Sequence, residues 1–381
     1  MISDRPPLGR RTWRGVPWGP TTRLTPASSL LVVGPTQVGK TSSVVVPALL
    51  SWTDALVVTS VKRDVVATTS RWRSSLGEVQ VLEPGRDDGL TWDPLEGVET
   101  MRHALRVAGD LTGRAPAHAD SEFWNTLAAK LLAAMLVVAR ERSRSIFDVA
   151  GAIERRDFAA WGDDASAASR SVRDFLDHDA KTLDAVVTTV EAMVVPWRFA
   201  QPTARVRRVV EGPNTLYLCS PRGEQRHYEA LFRGALRMVL EEQQRRVDEG
   251  RGRRLLVVLD EAASVAPLDD LDELAATVSG LGVTLVTVVQ DFAQLVGRWG
   301  PRASTIVNNH TTRLVMAGLA DPSVGRYLPE IVAPHGNRPA SPLRVRPPGT
   351  AVLVARHHPL VTLRLRPWWR DRRLRVRGER T

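Results

Sequence analysis

Residues 34–41 read Gly34-Pro35-Thr36-Gln37-Val38-Gly39-Lys40-Thr41, the pattern G-x-x-x-x-G-K-[ST], and the chemistry it serves is phosphate binding. Glycines let the backbone curl so that successive N–H groups converge on one anion, and a helix that follows presents its positive end to the same point. The chain has 52 lysines and arginines, of which only Lys40, Lys62, Lys130 and Lys181 are lysines. A compact ammonium on a flexible stem reaches the β- and γ-phosphates as a point charge, whereas a guanidinium is planar and shaped for forked contacts. That is a reason for a lysine at 40 in a chain that otherwise chooses arginine. The candidate nucleotide contacts are Gly34, Pro35, Thr36, Gln37, Val38, Gly39, Lys40, Thr41 and Ser42. The Thr41 hydroxyl is the candidate Mg²⁺ ligand.

A second element must hold the metal and prepare a water. Leu255-Leu256-Val257-Val258-Leu259-Asp260-Glu261 is an apolar run ending in two acids. In this reading Asp260 binds Mg²⁺ through its water shell and Glu261 orients or deprotonates the attacking water. The run Val283–Val289 ends at Gln290, which can sense the γ-phosphate or position that water. Small-molecule kinases are compact, with an acceptor site close behind the loop. Here the acids arrive far down the chain, so water is the expected acceptor.

The elements that position these residues follow from periodicity. Ser29–Val33 reads as a strand, 34–40 as its loop and 41–50 as a helix. Further short apolar runs at 55–59, Val79–Leu82, Thr215–Cys219, Leu255–Leu259, Val283–Val289 and 313–316 read as buried strands of a mostly parallel sheet. Helical patterns at 228–247 and 268–278 alternate with them, which gives an α/β layered domain. From 100 to 208 no strand pattern is present. Trp124, Leu127, Leu131, Met135 and Val138 recur at helical spacing there, as do Leu183, Val186, Val190, Met193 and Val194. The expectation is an α/β domain formed by 28–99 and 209–369, an all-α domain inserted at 100–208, a basic segment at 1–27 and an arginine-rich tail at 370–381. A loop at 335–349 precedes a last strand pair, 351–355 and 360–365.

Composition excludes several classes. One cysteine, Cys219, rules out a disulfide framework within the chain, and the eight scattered histidines give no zinc spacing. The longest uninterrupted apolar run, 131–139, is shorter than the ~20 residues of a membrane span. The expected location is cytoplasmic. Net charge is +10, but it is unevenly placed: residues 338–381 carry twelve arginines against two acids, and residues 1–30 five arginines against one. Such ends are either solvated or face a phosphate-rich partner, nucleic acid or an anionic membrane surface.

The loop, the segment "VVTSVKRD" after it, "LDEAASVAPLDDLDELAATVSGLGVTLVTVVQDFAQLVGRWG" and the ending "GTAVLVARHHPLVTLRLRPWW" together resemble the TraG/TraD family of type IV secretion coupling proteins, conjugative DNA-transfer ATPases of the RecA-like class. The resemblance runs from about 28 to 369. It implies a RecA-like P-loop fold and a homo-hexameric ring that hydrolyses ATP, with Mg²⁺, to move single-stranded DNA and its relaxase toward secretion-channel components. By position, Gly34 to Thr41 bind nucleotide, Asp260 and Glu261 complete the hydrolytic site, and Gln290 is the sensor. Lys62 lies where relatives often read D-P-K-G-E.

Three departures qualify the transfer. Relatives commonly begin with transmembrane helices that anchor the ring, and this sequence shows none, so a soluble form, a partner-recruited form or a cut-down form is expected, with peripheral association at the membrane as an option. The place where some relatives carry an arginine finger falls near Ser279, which leaves Arg298 or Arg302 to serve or hydrolysis slow. The pair Trp368-Trp369 stands where tyrosines are frequent, and packing is expected of it, with base stacking the lesser alternative. The alternative reading is an ATP-binding adaptor that docks DNA or membrane through its basic ends with little or no motor activity.

Overall fold

The computed structural model describes residues 4–379 apart from 14–15, 62, 87–88, 113–118, 221–222, 330–346 and 356–357. Lys62 and most of the expected loop 335–349 therefore lie outside the described residues.

The strands are β1 (Pro7–Trp13), β2 (Val16–Arg23), β3 (Ser29–Val33), β4 (Ala55–Ser60), β5 (Val79–Leu82), β6 (Thr91–Trp92), β7 (Thr203–Ala204), β8 (Thr215–Cys219), β9 (Leu255–Leu259), β10 (Val283–Val289), β11 (Thr312–Met316), β12 (Thr350–Ala355) and β13 (His358–Arg364). Eleven of them join one sheet, in the order β2-β1-β13-β12-β11-β3-β10-β9-β4-β8-β5. From β11 to β8 the neighbours are parallel, and β12, β13, β1 and β2 extend that edge antiparallel. β3, β9 and β10 occupy the middle, where every residue is buried. Strands covered on both faces read as continuous apolar runs, which is why they are legible in sequence.

Two compact units make up the chain. One comprises Met1–Gln80, Arg207–Arg222 and Glu241–Thr381. Residues 1–27, expected as a separate basic segment, instead supply β1 and β2 to its sheet. Their glycines, prolines and arginines hide the strand signal, as suits an exposed edge. The expected tail at 370–381 likewise contains a folded helix, Arg372–Gly378. The helix expected at 41–50 begins with a π-type turn, Thr41–Val45, before Val46–Ser51. Pro47 has no N–H to return to residue 43, so the regular ladder cannot run through this turn.

The other unit is Val81–Val206 with Gly223–Leu240. It includes the helices Met101–Thr112, Ala119–Glu141, Ile146–Arg155, Ala167–Leu176 and Ala180–Val194, plus the short parallel pair β6–β7, so it is not purely helical. Leu131, Met135, Val138, Val186, Val190, Met193 and Val194 from the two expected stripes are buried, while Trp124, Leu127 and Leu183 are half-buried. Ala119–Glu141 touches the other four helices. Its segment Glu122–Glu141 is long and apolar enough to cross a membrane, and half of its most apolar stretch is buried inside the structure. A helix with partners on several sides must be apolar over most of its circumference.

One buried histidine makes the stability of the α/β unit pH-dependent. His310 is fully buried; its Nδ1 donates to the Ile306 carbonyl at 2.7 Å and its Nε2 accepts from the Thr287 hydroxyl at 2.9 Å. A carbonyl only accepts, which fixes the proton on Nδ1. Burial pushes the pKa down to about 4, against ~6.5 in the unfolded chain. Between those values the unfolded state binds more protons, so stability is lost as pH falls through that window, by up to about 3 kcal/mol. Urea unfolding at pH 7.5 and pH 5 measures the loss, and His310→Asn is expected to remove this part of the slope.

Candidate functional site

The loop begins where β3 ends. Gly34 donates its N–H to the Val289 carbonyl at 3.3 Å, which ties the loop to the tip of β10. A Cβ at 34 would lie 2.9 Å from the Met316 Cβ, so only glycine fits between β10 and β11 here. Past it, Gln37 has φ +63° and Gly39 φ +90°, alternation of the kind that builds an anion-binding nest. The Gly39 carbonyl then accepts from the Ser43 N–H at 2.8 Å and the Ser42 hydroxyl at 3.3 Å, winding the chain into the helix that follows. Pro35 and Val38 are half-buried and Thr36 and Gln37 are exposed. The loop is thus anchored at both ends and open in the middle.

Lys40 turns inward. Its Nζ donates to the carbonyls of Gly34 at 2.6 Å and Pro35 at 2.8 Å. Burial lowers its pKa, opposed by the negative charges of Asp260, Glu261 and Asp291. The ammonium is therefore the shared counter-charge of three acids from two strand ends.

Asp260 arrives from β9. Parallel pairing sets Thr287 beside Leu259 and Val289 beside Val33, so β9, β10 and β3 end side by side. Loops at the carboxyl ends of adjacent parallel strands are where open α/β sheets bind ligands. The Thr41 hydroxyl donates to Asp260 Oδ2 at 3.2 Å, and the Thr59 hydroxyl to the Asp260 carbonyl at 3.0 Å. Asp260 is 5 % exposed. Burial first, and the charge of Glu261 second, push its pKa up to about 6, with Thr41 and Lys40 acting the other way. Glu261 follows in the left-handed region, φ +58°, half-buried, while Ala262 donates to the Val288 carbonyl at 3.1 Å. A glutamate held at positive φ is a strained position of the kind that clusters at functional sites.

Gln290 is half-buried just past β10, and its N–H donates to Gln294 Oε1 at 2.9 Å. Gln294 and Asp291 escape the motif reading. Asp291 caps the helix Phe292–Trp299 by accepting from the Gln294 N–H at 2.7 Å. The signal was present as Asp-Phe-Ala-Gln, an N-cap residue followed three positions later by Gln. Of the two arginines considered as fingers, Arg302 is engaged within the chain: Nε and Nη2 bind the Asp272 carboxylate at 3.1 and 2.5 Å, and Nη2 reaches Glu273 at 3.3 Å. Arg298 is half-buried in the helix Phe292–Trp299.

Comparison with known proteins fits this geometry. A family described as "Type IV secretory system Conjugative DNA transfer" matches residues 15–198, and one described as "TraM recognition site of TraD and TraG" matches residues 254–335. A conjugal transfer protein TraG of Escherichia coli is 25 % identical over 313 residues, 71 % of this chain and 49 % of that protein. The chain thus spans about half the length of the curated relatives it matches. Among solved structures, the bacterial conjugative coupling protein TrwBdeltaN70 is 18 % identical with a TM-score of 0.71, covering 94 % of this chain and 88 % of that one. TrwB in complex with ADP and Mg²⁺ gives 16 % and 0.67, covering 94 % and 89 %. VirB4 of Thermoanaerobacter pseudethanolicus gives 13 % and 0.60, covering 95 % and 96 %. The α/β unit has the RecA-like P-loop fold of these structures. Two family models matched in order along the chain, at 15–198 and 254–335, together with the Escherichia coli relative, make this chain similar to the TraG/TraD-type coupling proteins of type IV secretion.

Proposed function

We propose that the protein is a Mg²⁺-dependent ATPase that works as a homo-hexameric ring, recruits single-stranded DNA with its relaxase, and drives it toward a secretion channel from the cytoplasmic side of the membrane. One observation carries the nucleotide part of this reading. Thr41 and Asp260, more than two hundred positions apart in sequence, meet at 3.2 Å beside the Lys40 ammonium.

The donor set fits a magnesium nucleotide. The Asp260 carboxyl, buried beside Glu261, is pushed toward its neutral form, so its charge is under-compensated by the protein alone. A divalent cation supplies that compensation and neutralises phosphate charge. Among the described residues no cluster of three or more His, Cys, Asp or Glu could hold a metal. One hydroxyl and one carboxylate are what Mg²⁺ takes from a protein when phosphates and waters complete its shell. In this reading Gly34 to Ser42 cradle the phosphates, and Lys40 exchanges the Gly34 and Pro35 carbonyls for phosphate oxygens. Thr41 and Asp260 hold the metal, Glu261 takes a proton from the attacking water, and Gln290 keeps that water in line.

The adaptor reading keeps the same site but requires no turnover. ATP hydrolysis assayed with and without single-stranded DNA, beside light scattering with ATP, decides between them. The motor predicts DNA-stimulated hydrolysis and a particle of about six chains. A monomer with no stimulated turnover under every condition would overturn it.

A further inference from the structure

The closing residues of the chain form a clip on the helix behind the phosphate loop. Trp368–Arg370 make a 3₁₀ turn and Arg372–Gly378 a helix. Asp371 caps that helix, accepting the N–H groups of Arg373 at 3.0 Å and Leu374 at 3.4 Å. The inner face is apolar: Leu374 clusters with Val46 and Leu50 of the helix Val46–Ser51, and Trp72 and Trp368 pack against the three. Arg377 completes it, with its guanidinium 4.0 Å over the Trp72 ring and Nη1 donating to the Leu50 carbonyl at 2.5 Å. A cation on the last carbonyls of a helix stabilises its C-terminus.

The outer face has a different character. Trp369 is 45 % exposed and is braced edge-on against Trp368 at 5.8 Å between ring centroids. In the same stretch of chain Arg366, Arg370, Arg372 and Arg373 are exposed, and Arg366 donates through Nη2 to the Arg370 carbonyl. Arg375 pairs with Glu379 at 3.5 Å, but among the described residues no carboxylate pairs with Arg370, Arg372 or Arg373. The nearest acid in sequence, Asp371, is occupied as the cap. A plain solvated face would intersperse both signs and bury its tryptophans. An exposed indole braced edge-on by a second tryptophan, in a stretch whose guanidinium groups at 370, 372 and 373 are exposed and pair with no carboxylate among the described residues, offers a platform for a base and forks for phosphates. A bilayer would instead call for a contiguous apolar stripe, and between 366 and 379 only Trp369 and Val376 are exposed large apolar side chains.

We propose that Trp369, with Arg366, Arg370, Arg372 and Arg373, is a binding site for single-stranded nucleic acid, carried on a clip whose inner face seats on the nucleotide-binding helix. One base stacks on the exposed indole, and the arginines take the phosphates on either side. None of these five residues is among those assigned to nucleotide, metal or water, so the site is tested by binding, with basal ATP hydrolysis measured in parallel as an independent readout.

The full chain is titrated into a fluorescein-labelled oligothymidylate across a series of salt concentrations. Trp369→Ala is expected to weaken binding by about 5- to 150-fold, the range for losing one stacked base, and Trp369→Phe to restore most of it. The pair Arg372→Gln and Arg373→Gln is expected to lower the slope of log K against log salt by about 1.4. Basal hydrolysis and thermal midpoint stay at wild-type values in each. Unchanged affinity and slope in both variants overturn the site. Binding lost to vesicles of phosphatidylglycerol and phosphatidylcholine but retained for the oligonucleotide overturns it too, in favour of a membrane surface.

Discussion

Glu261→Gln is expected to bind nucleotide at near wild-type affinity and to hydrolyse it about 10²- to 10⁴-fold more slowly, the contribution of a positioned general base. The side chain keeps its size and loses only the ability to take a proton. Geometry favours a specific effect over a folding defect. Glu261 is half-buried, and its carbonyl accepts from the Ser264 and Val265 N–H groups at 2.9 and 3.2 Å. Those are backbone contacts that glutamine preserves. Removing the charge also relieves Asp260, whose pKa Glu261 helps to raise, so metal affinity should hold or improve. Fluorescent-nucleotide binding beside phosphate release separates the two quantities, and a wild-type rate would refute the role given to Glu261.

Lys40→Ala has the larger effect on binding. The ammonium sits on the Gly34 and Pro35 carbonyls and balances Asp260, Glu261 and Asp291. Deleting it removes charge-assisted hydrogen bonds to phosphate worth about 1.5–3 kcal/mol, or about 10- to 150-fold in affinity. It also leaves a buried carboxylate with no counter-charge, which raises the Asp260 pKa further and weakens metal binding at neutral pH. Hydrolysis should fall below detection. Lys40→Arg should fail as well, because a planar fork cannot take the place of a point charge among carbonyls 2.6 and 2.8 Å away. Full activity in the arginine variant would remove the reason offered for a lysine at this position.

Much of the site was legible because its chemistry is local. The curl of residues 34–41 needs glycine where φ is positive at 39 or where Met316 crowds 34, and those demands are written at fixed offsets. The central strands were legible for a related reason: β3, β9 and β10 are buried on both faces, and continuous Val/Leu runs are what such burial selects. The two strands at the β2 end of the sheet escaped. β1 and β2 carry exposed Arg10, Arg11 and Trp18, and no apolar alternation marks a strand that faces water. The short helix Arg372–Gly378 buries only Leu374, too little to leave a period in an arginine-rich stretch.

The sequence alone determined the types and order of the chemical groups: the phosphate loop, the acid pair, the polar residue after the next strand, and the apolar runs that deliver them. Tertiary structure alone decided that β10 lies between β3 and β9, that Thr41 meets Asp260, that Arg302 is spent on Asp272, and that Arg377 caps the Leu50 carbonyl. Torsional preference and burial act within a few residues and leave their mark in order and spacing. Strand neighbours and ion pairs are chosen among distant segments by long-range packing, and nothing in a local window records that choice.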